Sequence, residues 1–240
     1  MTLDTPMGNE SSQSQGIDRA SIRAMRRSYG IAGLAEADAL PNPIEQFHRW
    51  LTEAAENPVI VEANAMVLSV ANMAAAPDGL ISSRTVLLKD VTPDGFSFFT
   101  NYQSRKAAAL ATHQQATLLF PWYAMERQVS ISGLVEKLPE VESDAYFATR
   151  PWGSQIGAWA SAQSHELGSR EELEARYAEL SEKYPEGAPV PRPPHWGGYL
   201  LRPTTIEFWQ GRHSRLHDRL FYELDTTSHG SKWKRTRLYP

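Results

Sequence analysis

The feature that most constrains this chain is a series of short strand-like segments from residue 65 onward, joined by brief turns. The Pro-Asp-Gly sequences at residues 77–79 and 93–95 supply turn chemistry between the first of these segments. A parallel sheet needs a helical crossover after each strand, and the spacing does not provide such crossovers regularly. We therefore predict a mainly β protein with flanking helices (α+β), built as an antiparallel barrel or sandwich. The predicted strands are residues 65–71, 80–90, 96–100, 116–122, 128–138, 198–209, 215–224 and 233–238.

Several helices are predicted on the flanks of these strands. Residues 43–56 carry an apolar stripe at helical spacing, and Pro43 suits the first turn. Ser169 and Glu172 have the spacing of a capping box at the start of another helix. Residues 155–164 are interpreted as a loop of small residues with amide and hydroxyl side chains. The predicted helices are residues 43–56, 104–112, 139–149 and 169–183.

The N-terminal region differs in composition from the rest. Residues 1–16 are rich in Ser, Gln and Asn and contain no apolar signal core, so we predict a disordered tail. Residues 17–30 are basic, with Arg19, Arg23 and Arg26 at helical spacing. They form either a solvated helix on a mobile arm or a flap that closes over an anionic ligand, with Tyr29 as its aromatic end. We predict that residues 17–240 form a single domain.

Charge and composition exclude several classes of partner. A net charge of −4 and a pI near 6.0 argue against general nucleic-acid binding. Without cysteine there is no disulfide, thiolate metal site or cysteine nucleophile, and a reducing cytoplasmic location is expected. No apolar run approaches the ~20 residues of a membrane span, and the scattered histidines give no metal-binding motif. We expect no metal, nucleic-acid or membrane partner.

A first candidate anion site lies at the start of the helix predicted over residues 104–112. Ser104 is placed as the N-cap, and Arg105 and Lys106 follow in the first turn. Cations are unfavourable at a helix N-terminus, whereas an anion there meets free N–H groups and the positive end of the dipole. The pattern indicates either a phosphate-binding site or an ordinary capped helix with a basic first turn.

A second candidate combines Tyr146, Arg150 and Ser154. Tyr146 and Arg150 share a helix face, and Pro151 should end the helix before Ser154. A phenol, a guanidinium and a hydroxyl suit a phosphate monoester, although a cation at a helix C-terminus is also favourable by itself. Arg84 and Lys89 flank an apolar strand at odd separation. They therefore face opposite ways unless the strand bulges or ends at Lys89.

A third candidate is the cationic segment beginning at Arg215. On a regular strand over residues 215–224, Arg215, His217 and Arg219 share one face and repel one another unless an anion lies among them. The alternative is an edge strand protected by charge. Amides such as Gln128 and Gln163 suit the edge of a heterocycle, and Trp209 suits a flat ring. Two phosphate sites, an aromatic surface and no metal suggest a phosphorylated cofactor beside a phosphorylated substrate.

Blocks of sequence from about Met25 to the C-terminus resemble the pyridoxine/pyridoxamine 5′-phosphate oxidase family, in the order of that family. The blocks are MRRSY (25–29), SRTVLLK (83–89), TNYQSRK (100–106), ERQV (126–129), RPWGSQIGAWAS (150–161), WGGY (196–199), residues 207–219 and RLYP (237–240). The resemblance implies a split β-barrel with FMN at a homodimer interface. It also implies that O₂ oxidises pyridoxine or pyridoxamine 5′-phosphate to pyridoxal 5′-phosphate, releasing H₂O₂ and, from the amine, ammonia.

The same resemblance implies roles for individual residues. Those in FMN-contact positions are Arg84, Thr85, Val86, Leu87, Leu88, Lys89, Phe99, Thr100, Arg105, Lys106, Gln128, Gln163, Ser164, Trp209 and Arg219. Those in substrate positions are Lys89, Tyr146, Arg150 and Ser154 at the phosphate, Arg215 and His217 at the ring as catalytic residues, and Arg26 and Tyr29 in a closing N-terminal segment. The family often has Tyr where this chain has Phe99, and the turn at residues 72–80 is longer than usual. The alternatives are another FMN-dependent split-barrel oxidoreductase or a non-catalytic barrel that stores or senses FMN or pyridoxal phosphate.

Overall fold

The computed structural model describes residues 18–25, 27–30, 32–73, 79–226 and 232–240, and these ranges contain nine strands and six α-helices. The strands are β1 (Ala65–Asn72), β2 (Leu80–Leu87), β3 (Asp90–Thr92), β4 (Gly95–Asn101), β5 (Gln115–Trp122), β6 (Arg127–Lys137), β7 (Trp196–Gln210), β8 (Asp218–Asp225) and β9 (Lys232–Leu238). The helices are α1 (Arg19–Ala24), α2 (Pro43–Glu56), α3 (Arg105–Thr112), α4 (Glu140–Thr149), α5 (Trp152–Ala160) and α6 (Arg170–Lys183). Two short 3₁₀ turns lie at Tyr123–Met125 and His213–Arg215. The predicted tail, Arg26 and most of the 72–80 turn lie outside the described residues.

The strands form one antiparallel sheet in the order β2-β1-β5-β6-β7-β4-β3, with β8 on β7 and β9 on β8. The long strand β7 changes partners along its length: its first residues pair with β4 and its last residues pair with β8. A strand shared in this way splits the sheet. The prediction of a mainly β, antiparallel split barrel with flanking helices is therefore confirmed.

Helix α2 closes the barrel with the apolar stripe that its sequence predicted. Phe47 is fully buried, and its ring lies 5.0 Å from that of Phe96 and 4.9 Å from that of Phe120. Each such side chain contributes about 1.5–3 kcal/mol by leaving water. The helix begins at Pro43 and ends at Glu56, as predicted, with the Asn42 side chain capping its first turn. A separate cluster around Phe147, Ile156 and Trp196 packs α4 and α5 against the start of β7.

The strand predicted over residues 80–90 is interrupted. β2 ends at Leu87, and Leu88 and Lys89 connect it to β3. The break is needed because β2 pairs with β1 whereas β3 pairs with β4, so the chain crosses from one edge of the sheet to the other. Leu88 becomes buried, and the Lys89 N–H donates to the Ser97 carbonyl at 2.8 Å. No Gly or Pro marks this crossing in the sequence, and only the possibility that the strand ends at Lys89 anticipated it.

The loop predicted over residues 155–164 is wrong in its first half, where the chain forms α5. Ile156 and Ala160 of this helix are buried, and Ile156 belongs to a cluster with side chains from α4, α6 and β7. Burial of this apolar face outweighs the low helix propensity of Gly153 and Gly157. The predicted capping box of α6 is present in modified form, because Ser169 caps the Glu172 N–H while the Glu172 carboxylate accepts from Gly168. Among the described helices, none is long and apolar enough to cross a membrane.

Candidate functional site

A cavity of about 460 Å³ lies where β2 and β4 end and where α3, α4 and α5 approach them. We call it the Lys106 cavity. It brings together a large group of the predicted site residues, although they come from distant parts of the sequence. Those lining it are Thr85, Val86, Leu87, Lys89, Phe99, Thr100, Lys106, Tyr146, Arg150, Ser154 and Gln163.

Lys106 is a buried cation whose ammonium group, within the described ranges, donates only to neutral oxygens. Its Nζ donates to Thr100 Oγ1 at 3.0 Å, Ser104 Oγ at 3.2 Å and Gln163 Oε1 at 2.8 Å. Burial, and then the nearby charge of Arg84, lowers the pKa of Lys106 to about 8. Ser104 holds the predicted N-cap position, but its side chain makes no capping bond and accepts from Lys106 instead. An anion at this helix start would therefore relieve the cost of burying the lysine charge.

Arg84 and Lys89 approach the cavity in different ways. The Arg84 guanidinium points into the barrel wall, where it donates to the carbonyls of Leu68 and Ser82 at 3.2 and 2.9 Å. Lys89 lines the cavity because β2 ends two residues earlier, at Leu87. An end of the strand near Lys89 was one of the two ways in which this side chain was predicted to reach the site. Within the described ranges, no ion pair includes Arg84, Lys89 or Lys106.

Tyr146, Arg150 and Ser154 meet at the junction of α4 and α5. α4 ends before Pro151, as predicted, and Ser154 lies in the first turn of α5. The Arg150 guanidinium lies 4.5 Å from the centroid of the Trp196 ring, and burial lowers its pKa. Its Nη1 atom is buried and has no hydrogen-bond partner among the residues that the structure describes. A buried charged donor without a partner costs free energy that an anionic ligand would recover.

An aromatic stack supports this cluster. The rings of Phe99 and Tyr146 lie 4.0 Å apart and nearly parallel, and the Trp196 ring is nearly parallel to both, at 5.4 Å from Phe99 and 6.2 Å from Tyr146. Trp196 also lines the cavity, and sequence reasoning did not single it out. Its position in the WGGY block was the available signal.

Seven of the predicted cofactor residues do not line this cavity: Arg84, Leu88, Arg105, Gln128, Ser164, Trp209 and Arg219. The Leu88 side chain belongs to the core. Arg105 is exposed, and its backbone N–H donates to Ser164 Oγ at 3.3 Å, with Ser164 held at a φ of 75°. Arg105 and Ser164 therefore lie next to the cavity, because the residues adjacent to them in sequence, Lys106 and Gln163, line it. Leu88 lies between two lining residues, but its side chain points into the core.

A second cavity, of about 520 Å³, lies beside the loop between β7 and β8. We call it the His217 cavity, and it collects Tyr29, Trp209, Arg215 and His217 of the predicted site. The Trp209 and His217 rings lie 4.6 Å apart, and the Tyr29 ring meets their edges at 5.8 and 5.5 Å. Arg27, Ser28 and Arg212 also line it and were not predicted.

The predicted strand face of Arg215, His217 and Arg219 is wrong. β8 begins at Asp218, so Arg215 and His217 belong to the connecting loop, and Ser214 and Arg215 have φ values of 57° and 62°. The chain needs this loop because it must reverse between β7 and β8. Arg219 does lie on β8, where Glu207 holds it in a bidentate ion pair at 2.9 and 2.8 Å. The expected repulsion is thereby removed.

His217 has a defined tautomer. The Arg212 backbone N–H donates to His217 Nδ1 at 3.1 Å, so the neutral ring carries its proton on Nε2. Burial, and then the Arg215 charge, lowers the pKa of His217 below its ordinary value. At neutral pH the ring is therefore a hydrogen-bond donor through Nε2 to whatever occupies the cavity.

Gln128, Trp209 and Arg219 form a cross-strand row. Gln128 of β6 is paired with Trp209 of β7, which is paired with Arg219 of β8. Directly paired residues project from the same face of a sheet. An amide, an indole and a guanidinium thus lie side by side next to the His217 cavity.

The two cavities lie near opposite ends of β7. Trp196 lines one and Trp209 lines the other, and they share no lining residue. At ~3.3 Å per residue, these two tryptophans are on the order of 40 Å apart along the strand. The two cavities are therefore lined by different parts of the chain and lie toward different ends of this strand.

The fold and the cavities define a class of protein: an antiparallel split barrel whose cavities contain cations that lack a carboxylate partner in the described part of the chain. Comparison with known proteins is more specific. Residues 52–184 match the family model described as pyridoxamine 5′-phosphate oxidase, and residues 196–240 match the pyridoxine 5′-phosphate oxidase C-terminal dimerisation region. The chain therefore belongs to the pyridoxine/pyridoxamine 5′-phosphate oxidase family.

Individual relatives agree with this assignment. A pyridoxine/pyridoxamine 5′-phosphate oxidase of Rubrobacter xylanophilus is 53% identical over 222 residues, covering 92% of this chain and 98% of the relative. One from Thermosynechococcus vestitus is 52% identical over 219 residues, covering 91% and 99%. The crystal structure of PhzG from Burkholderia lata 383 in complex with tetrahydrophenazine-1-carboxylic acid has a TM-score of 0.78 at 36% identity, covering 88% of this chain and 99% of that one. An FMN-binding protein of Nostoc punctiforme, with a TM-score of 0.64 and 15% identity over 83% of this chain and 98% of that one, shares the fold.

Proposed function

We propose that this chain is an FMN-dependent oxidase of pyridoxamine and pyridoxine 5′-phosphates. Pyridoxine 5′-phosphate and O₂ would give pyridoxal 5′-phosphate and H₂O₂, and the amine would also consume water and release ammonia. The observation that carries the proposal is the presence in one cavity of two cations without carboxylate partners among the described residues: Lys106, which is buried, and Arg150, which is half-buried with a buried Nη1. Two separate anionic groups, one from the cofactor and one from the substrate, match that arrangement.

We assign the two ends of the Lys106 cavity to the two phosphates. Lys106, with Arg84 behind it and the start of α3 beside it, would hold the FMN phosphate, and Arg105, Thr100, Gln163 and Ser164 would complete that end. Arg150 would offer its fork to the substrate phosphate, with the hydroxyls of Tyr146 and Ser154 and the charge of Lys89. FMN would supply the hydride acceptor of the reaction.

The remaining groups of the site come from the His217 cavity of a partner subunit. Gln128, Trp209 and Arg219 would hold the flavin from that side. Arg215 would face the substrate ring and stabilise its developing charge, and His217 would donate from Nε2 to the ring or its substituent. Tyr29 and the N-terminal segment that carries it would cover the His217 cavity and exclude water from it. The separation of the two cavities along β7 and the match of residues 196–240 to a dimerisation region support a site shared between two protomers.

Oxygen consumption tests the activity. Purified protein should be yellow and should produce H₂O₂ only when pyridoxamine or pyridoxine 5′-phosphate is added. A yellow protein that oxidises only a non-phosphorylated substrate would be the other kind of split-barrel oxidoreductase, which has no use for the Arg150 cluster. A protein that binds FMN or pyridoxal phosphate without H₂O₂ production would be a carrier or sensor.

Mixing two variants, each impaired in one of the two cavities, tests the shared site at a substrate concentration close to the wild-type KM, where both variants turn over little substrate. Arg150→Met removes a group of the Lys106 cavity, and Arg215→Ala removes a group of the His217 cavity. After unfolding and refolding together, half of the dimers are mixed, and one of the two sites in each mixed dimer carries both native residues. We expect oxygen consumption to recover to about a quarter of the wild-type value, as a two-fold dimer requires. If the site lay within one protomer, the mixture would remain inactive.

Because the pKa of Lys106 is lowered, FMN binding is expected to be coupled to proton uptake. At about pH 9 the lysine is mostly neutral in the unloaded protein, because its pKa is about 8. A phosphate placed beside it would raise that pKa, so FMN binding should take up close to one proton. Calorimetry in two buffers of different ionisation enthalpy measures this uptake, and Lys106→Met is the control that should abolish it. Equal proton uptake by the variant would contradict the assignment.

The same lowering of the Lys106 pKa predicts how the free energy of unfolding changes with pH. Because burial lowers the pKa of Lys106 from its ordinary 10.5, the unfolded chain holds the proton more tightly between about pH 8 and pH 10.5. Lys106 should therefore make the free energy of unfolding of FMN-free protein rise with pH across that window. Lys106→Met should show a flatter dependence.

A further inference from the structure

The Asp218 carboxylate joins three separate parts of the chain. Its Oδ2 accepts from the Leu34 backbone N–H at 3.0 Å and from Arg212 Nη1 at 3.1 Å, and its Oδ1 accepts from Arg237 Nη1 at 2.6 Å. These donors belong to the N-terminal segment, the β7–β8 loop and β9. The Asp218 side chain is only 14% exposed, whereas the side chains of Arg212 and Arg237 that pair with it reach the surface.

Arg237 extends the connection to Glu36. Its Nε and Nη2 donate to the Glu36 carboxylate at 2.5 and 2.7 Å, and Nη2 also donates to the Leu34 carbonyl at 2.8 Å. The hydrogen bonds from Arg237 lower the pKa of Glu36 to about 2, so the carboxylate is charged at neutral pH. We refer to Asp218, Arg212, Arg237 and Glu36 as the Asp218 network.

This network closes the loop that carries His217. Asp218 directly follows His217, and its side chain holds Arg212 at the other end of the same loop. The Arg212 backbone N–H in turn donates to His217 Nδ1. One carboxylate therefore fixes both the position of the loop and the donor that sets the His217 tautomer. Without its charge, the bond between Arg212 and His217 loses its anchor.

The same carboxylate holds the segment that carries Tyr29. Leu34 is hydrogen-bonded to Asp218, and the Tyr29 ring packs against His217 at 5.5 Å. Close packing at Gly33 shows how tightly this segment lies on the network, since a Cβ there would come within 2.7 Å of Arg212 Nη1. The N-terminal segment and the His217 loop thus share one anchor.

We propose that Asp218 is a positioning residue, which through Arg212 and Arg237 fixes the His217 ring and holds the Tyr29 segment over the His217 cavity. Its effect on turnover rests on the proposed function, whereas its effect on the His217 ring does not. Asp218→Asn keeps the size of the side chain and removes the charge that both arginines share. Because small misplacements of a catalytic group are costly, we expect kcat to fall on the order of 10- to 100-fold. KM should change much less, since the residues proposed to hold the substrate phosphate lie in the other cavity.

A spectroscopic measurement separates positioning from general damage. In ¹⁵N NMR spectra of the FMN-saturated full chain, His217 should appear as the Nε2–H tautomer, with its signals assigned by their loss in His217→Gln. In Asp218→Asn we expect the signals to shift toward a mixture of tautomers. This result would stand even if the protein oxidised no pyridoxine or pyridoxamine phosphate. A wild-type tautomer signature in a folded Asp218→Asn protein would overturn the proposal.

Two further variants guard against misfolding and unspecific charge effects. Glu36→Gln weakens the network from its exposed end and should produce a smaller shift in the same direction, which keeps the proposal testable if Asp218→Asn does not fold. Arg202→Gln is the matched control, because Arg202 also bridges two carboxylates, those of Asp94 and Glu136, on another part of the surface. It should leave kcat and the His217 signals unchanged. An equal loss of kcat in Arg202→Gln would overturn the proposal.

Discussion

Replacing Arg215 with alanine is expected to lower kcat on the order of 10²- to 10³-fold in FMN-saturated protein, the effect of removing one preorganised donor from a developing charge. The side chain lines the His217 cavity and has no ion-pair partner among the described residues. Its backbone has a φ of 62°, a conformation that costs a non-glycine residue about 1–3 kcal/mol and that persists where surrounding structure imposes it. The backbone strain at Arg215 is therefore maintained by its surroundings, and its side chain lines the cavity, as expected for a residue that acts on a ligand.

The measurement is steady-state oxidation of pyridoxamine 5′-phosphate, with bound FMN quantified by absorbance in each sample. Arg215→Lys retains the charge but loses the planar fork, so it should recover only part of the activity. Arg170→Ala removes an exposed arginine that pairs with Glu174 on α6 and should behave as wild type. Unchanged turnover in Arg215→Ala would refute its assignment at the substrate ring.

Replacing Arg150 with methionine is expected to have opposite effects on substrate affinity and on stability. Two lost hydrogen bonds to a charged phosphate, at roughly 1.5–3 kcal/mol each, should raise KM by at least 10²-fold. In the ligand-free protein, however, Arg150 is a half-buried cation with an unsatisfied Nη1, and burial lowers its pKa. Methionine fills similar space without a charge, so Tm of ligand-free protein should rise by about 2–4 °C.

Both effects are tested by thermal unfolding of FMN-saturated protein with and without pyridoxal 5′-phosphate. Here, ligand-free protein means protein that contains FMN but no pyridoxal 5′-phosphate. The wild type should be stabilised by the ligand, and Arg150→Met should begin higher and gain little. Lys183→Met is a matched control, because Lys183 also lies over an aromatic ring, that of Tyr184, away from both cavities. A fall in the Tm of ligand-free Arg150→Met would show that the arginine is structurally satisfied and would remove the main support for the phosphate assignment.

The sequence predicted those parts of the site that depend on local geometry. The start of α3 places Ser104 and Lys106 together, and the four-residue spacing of Tyr146 and Arg150 places them on one helix face, whatever the rest of the chain does. Helix α2 was also predicted to its first and last residues, because its apolar stripe and its start signal agree. The family resemblance then supplied the roles, which composition and spacing left open.

Local patterns were less informative where strands end. Arg215 and His217 alternate like strand residues, yet they form a loop because β7 and β8 must be joined there. The residues of α5 look like a loop, yet they form a helix because one face is buried against α4 and α6. In both places packing against distant residues outweighs a weak local preference.

What the sequence determined by itself was the antiparallel pairing of the strands, the positions of α2, α3, α4 and α6, and two local clusters of candidate anion-binding side chains, since each follows from patterns within a few residues. The tertiary structure alone decided how those clusters combine: that Lys89 reaches the Lys106 cavity, that Arg219 is neutralised by Glu207, and that Asp218 holds the His217 loop. Leu34 and Asp218 are 184 residues apart in sequence, and Glu36 and Arg237 are 201 apart. Contacts at such separations depend on how the whole sheet closes, which no short sequence pattern encodes.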